Sequence, residues 1–230
     1  MNKLWTAAML GVSATGLCIS TSASARGDAF PDSFIAISGG SGTLNASSSG
    51  GSTGSISGTA YGIALRKTFA KAGVIDVGYD RYNGSKNGVD LTADRIDAGI
   101  GFLGGVGADS SLLMEAVYSA PKLKSKSSVA CGGDCGEGSK HGFGIKAGFI
   151  VPIGTSFISS LTVQLLKIEA ASGDPIQGQA TIEGSVGYKI SPAFGVHGVF
   201  RRDAYENKGN EPGASKLFAS SFRGMLSYNF

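Results

Sequence analysis

From Ser33 onward, apolar residues alternate with small or polar ones at a period of two, the period of a β-strand whose successive side chains point to opposite faces. Tyr61, Ile63, Leu65, Lys67 and Phe69 alternate with Ala60, Gly62, Ala64, Arg66 and Thr68. Ile75, Val77 and Tyr79 are set against Asp76, Gly78 and Asp80, and Ile96, Ala98, Ile100 and Phe102 against Arg95, Asp97, Gly99 and Gly101. Further on, Phe143, Ile145, Ala147, Phe149 and Val151 oppose Gly142, Gly144, Lys146 and Gly148, and Ala180, Ile182, Val186 and Tyr188 oppose Thr181, Glu183, Ser185, Gly187 and Lys189. The chain ends with Phe218, Phe222, Leu226, Tyr228 and Phe230 on one face, and Ser221, Arg223, Ser227 and Asn229 on the other. The stretches 33–41 and 157–170 alternate least regularly.

The connections also alternate, in length. Short ones rich in Gly or Pro lie near 70–73, 104–110, 152–156 and 191–193; long polar ones lie near 42–57, 83–91, 121–140, 171–178 and 203–215. This predicts ten strands with both ends of the chain on the short-turn side; eight is the alternative count, since two strands are weakly patterned. A soluble sandwich would carry a strongly charged outer face. Here the face opposite the apolar one is Gly, Ala, Ser and Thr with single charges, which suits a narrow polar interior. Aromatics sit towards strand ends, as in the girdles of membrane barrels. The fold class predicted is all-β: a closed antiparallel transmembrane β-barrel whose apolar stripes meet lipid.

Composition supports this reading. Charged residues make up 16% of the 230 residues, and 37 are Gly, against about a quarter charged in an ordinary soluble domain. The net charge of +3 without a long basic run speaks against nucleic acid as a partner. No apolar run after the N-terminal stretch reaches the length of about 18 that a spanning helix needs. Asn2 and Lys3, the apolar stretch Leu4 to Leu17 and the small-x-small Ala23-Ser24-Ala25 predict a signal peptide over 1–25, cleaved after Ala25. The barrel domain is then 26–230, and Cys18 departs with the leader rather than carrying lipid.

A cleavable leader, alternating strands and a last strand ending Leu226-Ser227-Tyr228-Asn229-Phe230 resemble small Gram-negative outer-membrane β-barrels of the OmpX or opacity-protein kind, within the porin-type superfamily. In pattern the resemblance covers the whole chain after the leader; in motif it covers the last strand alone. It implies location in the cell outer membrane, contact with outer-membrane lipid, and recognition of Leu226, Tyr228 and Phe230 by the barrel-assembly machinery. It implies no activity.

Two sets of residues remain for chemistry. Cys131 and Cys135, within Cys-Gly-Gly-Asp-Cys in the longest loop, predict a disulfide, because exported chains meet oxidising conditions. A metal site would need His141 with Asp134 or Glu137, a set that lacks a standard zinc spacing. No cofactor or metal is expected. Arg66, Asp76, Asp80, Arg95, Asp97, Glu115, Lys146, Glu183, Lys189, Arg201 and Arg223 fall on the inferred inward face, where isolated charges are costly and mutual pairing is expected. Pairing about the 121–140 loop sets Glu115 against Lys146, and pairing about the 83–91 loop sets Asp80 against Arg95.

Catalytic patterns are poor. The two histidines, His141 and His197, lie in no triad motif. The His-then-Ser pattern of lipid A deacylases and the Asp-x-His pattern of outer-membrane proteases are both absent, and Gly99 to Gly105 lacks the Lys-Ser/Thr ending of a phosphate loop. The Ser/Gly/Thr-rich 41–58 segment reads as an outward loop able to meet extracellular ligands. The expected function is a non-enzymatic barrel with a structural or surface-interaction role and a lumen filled by side chains. A narrow passive pore is the alternative, and a lipid-modifying barrel enzyme is a weaker one.

Overall fold

A period-two apolar pattern has few outlets in lipid: without water, every backbone N–H and C=O must pair, and a sheet does this only when its edges close on each other. The computed structural model describes residues 33–47, 53–70, 72–106, 110–127, 133–169, 176–207 and 216–230. The leader 1–25 and Cys131 lie outside the described residues, as does the side chain of Cys135, so the leader and the disulfide stay expectations. The strands are β1 Phe34–Ser47, β2 Thr53–Phe69, β3 Gly73–Lys86, β4 Val89–Val106, β5 Ser110–Ser127, β6 Gly133–Ser139, β7 His141–Ile153, β8 Phe157–Glu169, β9 Ile176–Lys189, β10 Phe194–Asn207 and β11 Lys216–Asn229.

Each strand pairs antiparallel with its sequence neighbour, and β1 pairs with β11 from Phe34↔Asn229 to Ser47↔Lys216, which closes the ring. Segments β6 and β7 both pair with β5, at Lys122–Ser127 and Ser111–Ser119 respectively. They are two pieces of one staggered strand, interrupted at Lys140, whose N–H donates to the Pro121 carbonyl at 2.9 Å. Counted so, the barrel has ten strands.

The outward face carries the large apolar side chains, Ile37, Ile63, Ile100, Phe143, Leu161, Val186 and Phe222 among them, all exposed. Aromatic pairs flank this belt: Phe157–Tyr188 and Phe194–Tyr228 at the short-turn end, with ring centroids 5.0 and 5.3 Å apart, and Tyr118–Phe143 towards the other end, at 5.1 Å. Inward, Val74, Leu103 and Leu113 pack together, with Ile150 against them, as a small apolar floor near the short turns.

The long connections are shorter than the pattern predicts. The 83–91 segment is a tight hairpin in which only Asn87 and Gly88 lie outside strands, with φ of 52° and 74°. That left-handed backbone suits an Asn-Gly turn. Likewise β5 runs to Ser127 and β10 to Asn207. Strands of up to 18 residues exceed the ~9–11 needed to cross the membrane, so the wall continues past the apolar belt. The alternation stops at the edge of the lipid, where an outward apolar residue no longer gains anything; the hydrogen-bond ladder does not stop there.

Candidate functional site: the charged lumen

The inward parity of each strand delivers ionisable side chains into a tube too narrow for them to avoid one another. They form two clusters. Towards the short turns, Arg66 on β2 donates from Nε and Nη2 to the two oxygens of Asp76 on β3, both at 2.7 Å. Lys146 on β7 reaches the same carboxylate at 2.8 Å and also contacts Glu115 on β5. Glu115 is 4% exposed, and Gly99 on β4 makes room for it: a Cβ there would lie 3.3 Å from the Glu115 carboxyl carbon.

The second cluster lies farther from the floor. Arg95 on β4 pairs with Asp97 on its own strand and, at 3.0 Å, with Asp203 on β10. Arg201 on β10 donates to Asp203 at 3.1 Å and to Asp80 on β3 at 2.7 Å. Arg223 on β11 contacts the other oxygen of Asp80. Gly62 leaves space for this contact, since a Cβ there would lie 2.5 Å from Asp80 Oδ1. Gln179 and Thr181 donate to Asp203 at 2.9 and 2.6 Å. Glu183 is held loosely, its Oε2 at 3.9 Å from Arg201 and 3.8 Å from Arg223.

Glu115 and Lys146 face each other in register and touch. Asp80 and Arg95 also face each other in register, but their side chains go elsewhere: Asp80 to Arg201 and Arg223, Arg95 to Asp97 and Asp203. In a narrow tube, long inward side chains converge near the axis, and a carboxylate on a far strand competes with the one alongside. Lys189 lies at the short-turn end of β9, opposite Gly195, away from these clusters. Asp203 is the site residue that the sequence pattern missed, because 203–215 reads as a loop. Its parity with Val199 and Arg201 is the signal that finds it.

The lumen holds a cavity of about 240 Å³, lined by members of both clusters (Asp76 and Lys146, Asp80, Arg95 and Arg201) and by Gln164 and His197 among others. His197 Nε2 is 3.2 Å from the Ser227 hydroxyl. Arg95 Nε, Arg223 Nε, Asp97 Oδ1 and Gln164 Nε2 are buried without a hydrogen-bond partner among the described residues. Leu226, Tyr228 and Phe230 lie on the outward face at the end of the chain, with Phe230 N–H bonded to the Ser33 carbonyl at 3.2 Å.

No protein-family model matches the chain, and no curated protein does. Solved structures do. The outer membrane protease OmpT of Escherichia coli is 13% identical with a TM-score of 0.54, over 87% of this chain and 97% of that one. Neisserial surface protein A is 14% identical with a TM-score of 0.39, over 85% and 97%. Ail, the attachment invasion locus protein of Yersinia pestis, is 10% identical with a TM-score of 0.39, over 86% and 99%. The likeness to OmpT is one of fold alone. A closed ten-stranded ring with an apolar exterior flanked by aromatic pairs makes this chain an integral membrane β-barrel, and OmpT shares that fold.

Proposed function

We propose that the protein is a non-enzymatic barrel whose lumen is closed by its own ion pairs, and whose outward wall and loops serve a structural or surface-interaction role. One observation carries this reading: the ion pairs join strands far apart around the ring. Arg95 to Asp203 links β4 with β10, Arg201 to Asp80 links β10 with β3, and Lys146 to Asp76 links β7 with β3. Contacts that cross the tube leave little continuous path for a solute. Charges removed from bulk water attract strongly enough to hold such cross-ties, provided that each is paired.

The surface role rests on the wall beyond the lipid. The β3–β4 hairpin and the outward ends of β4 and β5 present Arg81, Asp94, Thr92 and Lys124 to water rather than acyl chains. Arg81 and Asp94 form a two-pronged pair, with Nη2 to Oδ2 at 3.0 Å, which stiffens that wall. Outer-membrane lipid surrounds the belt, and the outward residues Leu226, Tyr228 and Phe230 of β11 are the element offered to the barrel-assembly machinery. A Cys131–Cys135 disulfide would tie the segment after β5 to β6, which contains Cys135.

Conductance across planar bilayers tests the lumen. The expected result is a silent wild-type barrel, and steady openings when Asp80→Ala and Asp203→Ala are combined to remove the two cross-ties that reach β10. Steady wild-type openings, altered by Lys146→Ala, would overturn the closed lumen in favour of a narrow pore, the reading to which the cavity of about 240 Å³ lends support.

A further inference from the structure

Where the outer wall leaves the apolar belt towards the long connections, its charges are neutralised on one side of the ring and not on the other. On β3 and β4, Arg81 donates from Nε and Nη2 to Asp94, which also accepts the Tyr79 hydroxyl at 2.7 Å. Around the closing seam, β11, β1 and β2 contain no Asp or Glu. Arg202 on β10 stands beside them, exposed on the outward face. Its guanidinium carbon lies over the Phe218 ring of β11, 5.4 Å from the ring centre. The next residue, Asp203, is turned into the lumen towards Arg95 and Arg201, and Glu206 comes four positions after Arg202 on β10. Among the described residues, an aromatic face and not a carboxylate therefore holds Arg202.

Hydroxyls adjoin this cation in register. Ser220 lies opposite Arg202, Thr43 opposite Ser220 and Ser57 opposite Thr43, one row of residues across β10, β11, β1 and β2. On the belt side of that row stand Phe200 and Phe222, 48% and 64% exposed. The next outward row is Gly198, Gly224 and Gly39. A Cβ would have its nearest neighbour at 3.8 Å at Gly198 and 3.9 Å at Gly224, and nothing within 4 Å at Gly39. The wall thus dips beneath two protruding rings, below a cation and a line of hydroxyls.

We propose that this seam binds a lipid with a phosphate monoester headgroup, in the leaflet on the long-connection side. The phosphate sits on the Arg202 guanidinium and the hydroxyls of Ser220 and Thr43, and an acyl chain lies against Phe222 over the glycine row. A guanidinium offers a planar fork of N–H donors that matches phosphate oxygens. Held through its face by an aromatic ring, it keeps the donors on its edge for such an acceptor. The three acid-free strands place no carboxylate there to repel the headgroup. The site is on the outer wall, so whether the lumen conducts has no bearing on it.

Native mass spectrometry of the intact refolded barrel tests this, with the protein released from non-ionic detergent containing equal amounts of phosphatidic acid, phosphatidylglycerol and phosphatidylcholine. Phosphatidic acid, the monoester, is expected to be retained several-fold over the other two. Arg202→Gln should bring its retention down to theirs, Thr43→Val should lower it by a smaller factor, and Arg81→Gln should leave it unchanged. Circular dichroism of each variant verifies that the barrel is intact, as expected for substitutions on the outer wall. Equal retention of the three lipids would overturn the proposal, as would undiminished phosphatidic acid on Arg202→Gln. A loss in Arg81→Gln as large as that in Arg202→Gln would also overturn it, by reducing the preference to a general attraction towards basic residues.

Discussion

The two lumen clusters use the same residue types to different ends. The cluster near the floor is small, balanced and tight: its described contacts are 2.8 Å or shorter, and the Glu115 side chain is fully buried. The other is larger, carries an extra carboxylate and has contacts stretching to 3.9 Å, with Glu183 open to a cavity. A buried charge with a single close partner makes a rigid tie that is costly to break. A charge shared loosely among several partners is cheap to lose and easy to tune. On this comparison, the first cluster holds the wall in shape and the second is where the lumen can respond to what enters it.

The sharpest way to break the comparison is Lys146→Met. Lys146 is the cation that touches Glu115, and removing one partner of a buried pair costs about 3–5 kcal/mol because the other charge stays behind. Urea unfolding of the refolded barrel should show this loss, and Glu115→Leu in the same chain should recover most of it. If Lys146→Met unfolds at the wild-type urea concentration, the tight cluster is no tie. Asp80→Asn comes next. Asp80 joins Arg201 and Arg223, yet Glu183 lies near the same two guanidiniums and can take up the slack. A loss of about 1.5–3 kcal/mol is expected, the range for hydrogen bonds to charged groups. A larger loss than for Lys146→Met would invert the ranking of the clusters.

What the sequence disclosed follows the same physics. Within the lipid belt, an outward residue must be apolar, so period two marks each crossing strand and its parity; Glu115 opposite Lys146 is readable from the loop centre alone. Beyond the belt that constraint lapses, so the outward ends of β1, β3, β5 and β10 look like loops although they remain paired. Asp203 was lost to that effect, and the Asn87-Gly88 hairpin hid inside a segment that looked long. The ion-pair partners were less legible still. Register fixes which backbones are neighbours, but Asp80 chooses Arg201 on β10 over Arg95 alongside because side chains meet near the axis. The shape of the whole tube decides that choice, and no local pattern encodes it.

The smallest expected effect discriminates best between the clusters. Glu183→Gln keeps the size of the side chain and removes the surplus charge. Because the contacts of Glu183 are long, at 3.8 and 3.9 Å, the attraction it loses is weaker than that of a close pair. Against that loss stands relief of repulsion among four carboxylates served by three guanidiniums. The variant should unfold at the wild-type urea concentration or slightly above it, while the matched change Glu115→Gln in the balanced cluster should unfold earlier, because it strands Lys146 beside one carboxylate instead of two. Equal losses for the two glutamines would mean that the clusters differ in geometry but not in energy, and the division of labour between tie and tuner would fall.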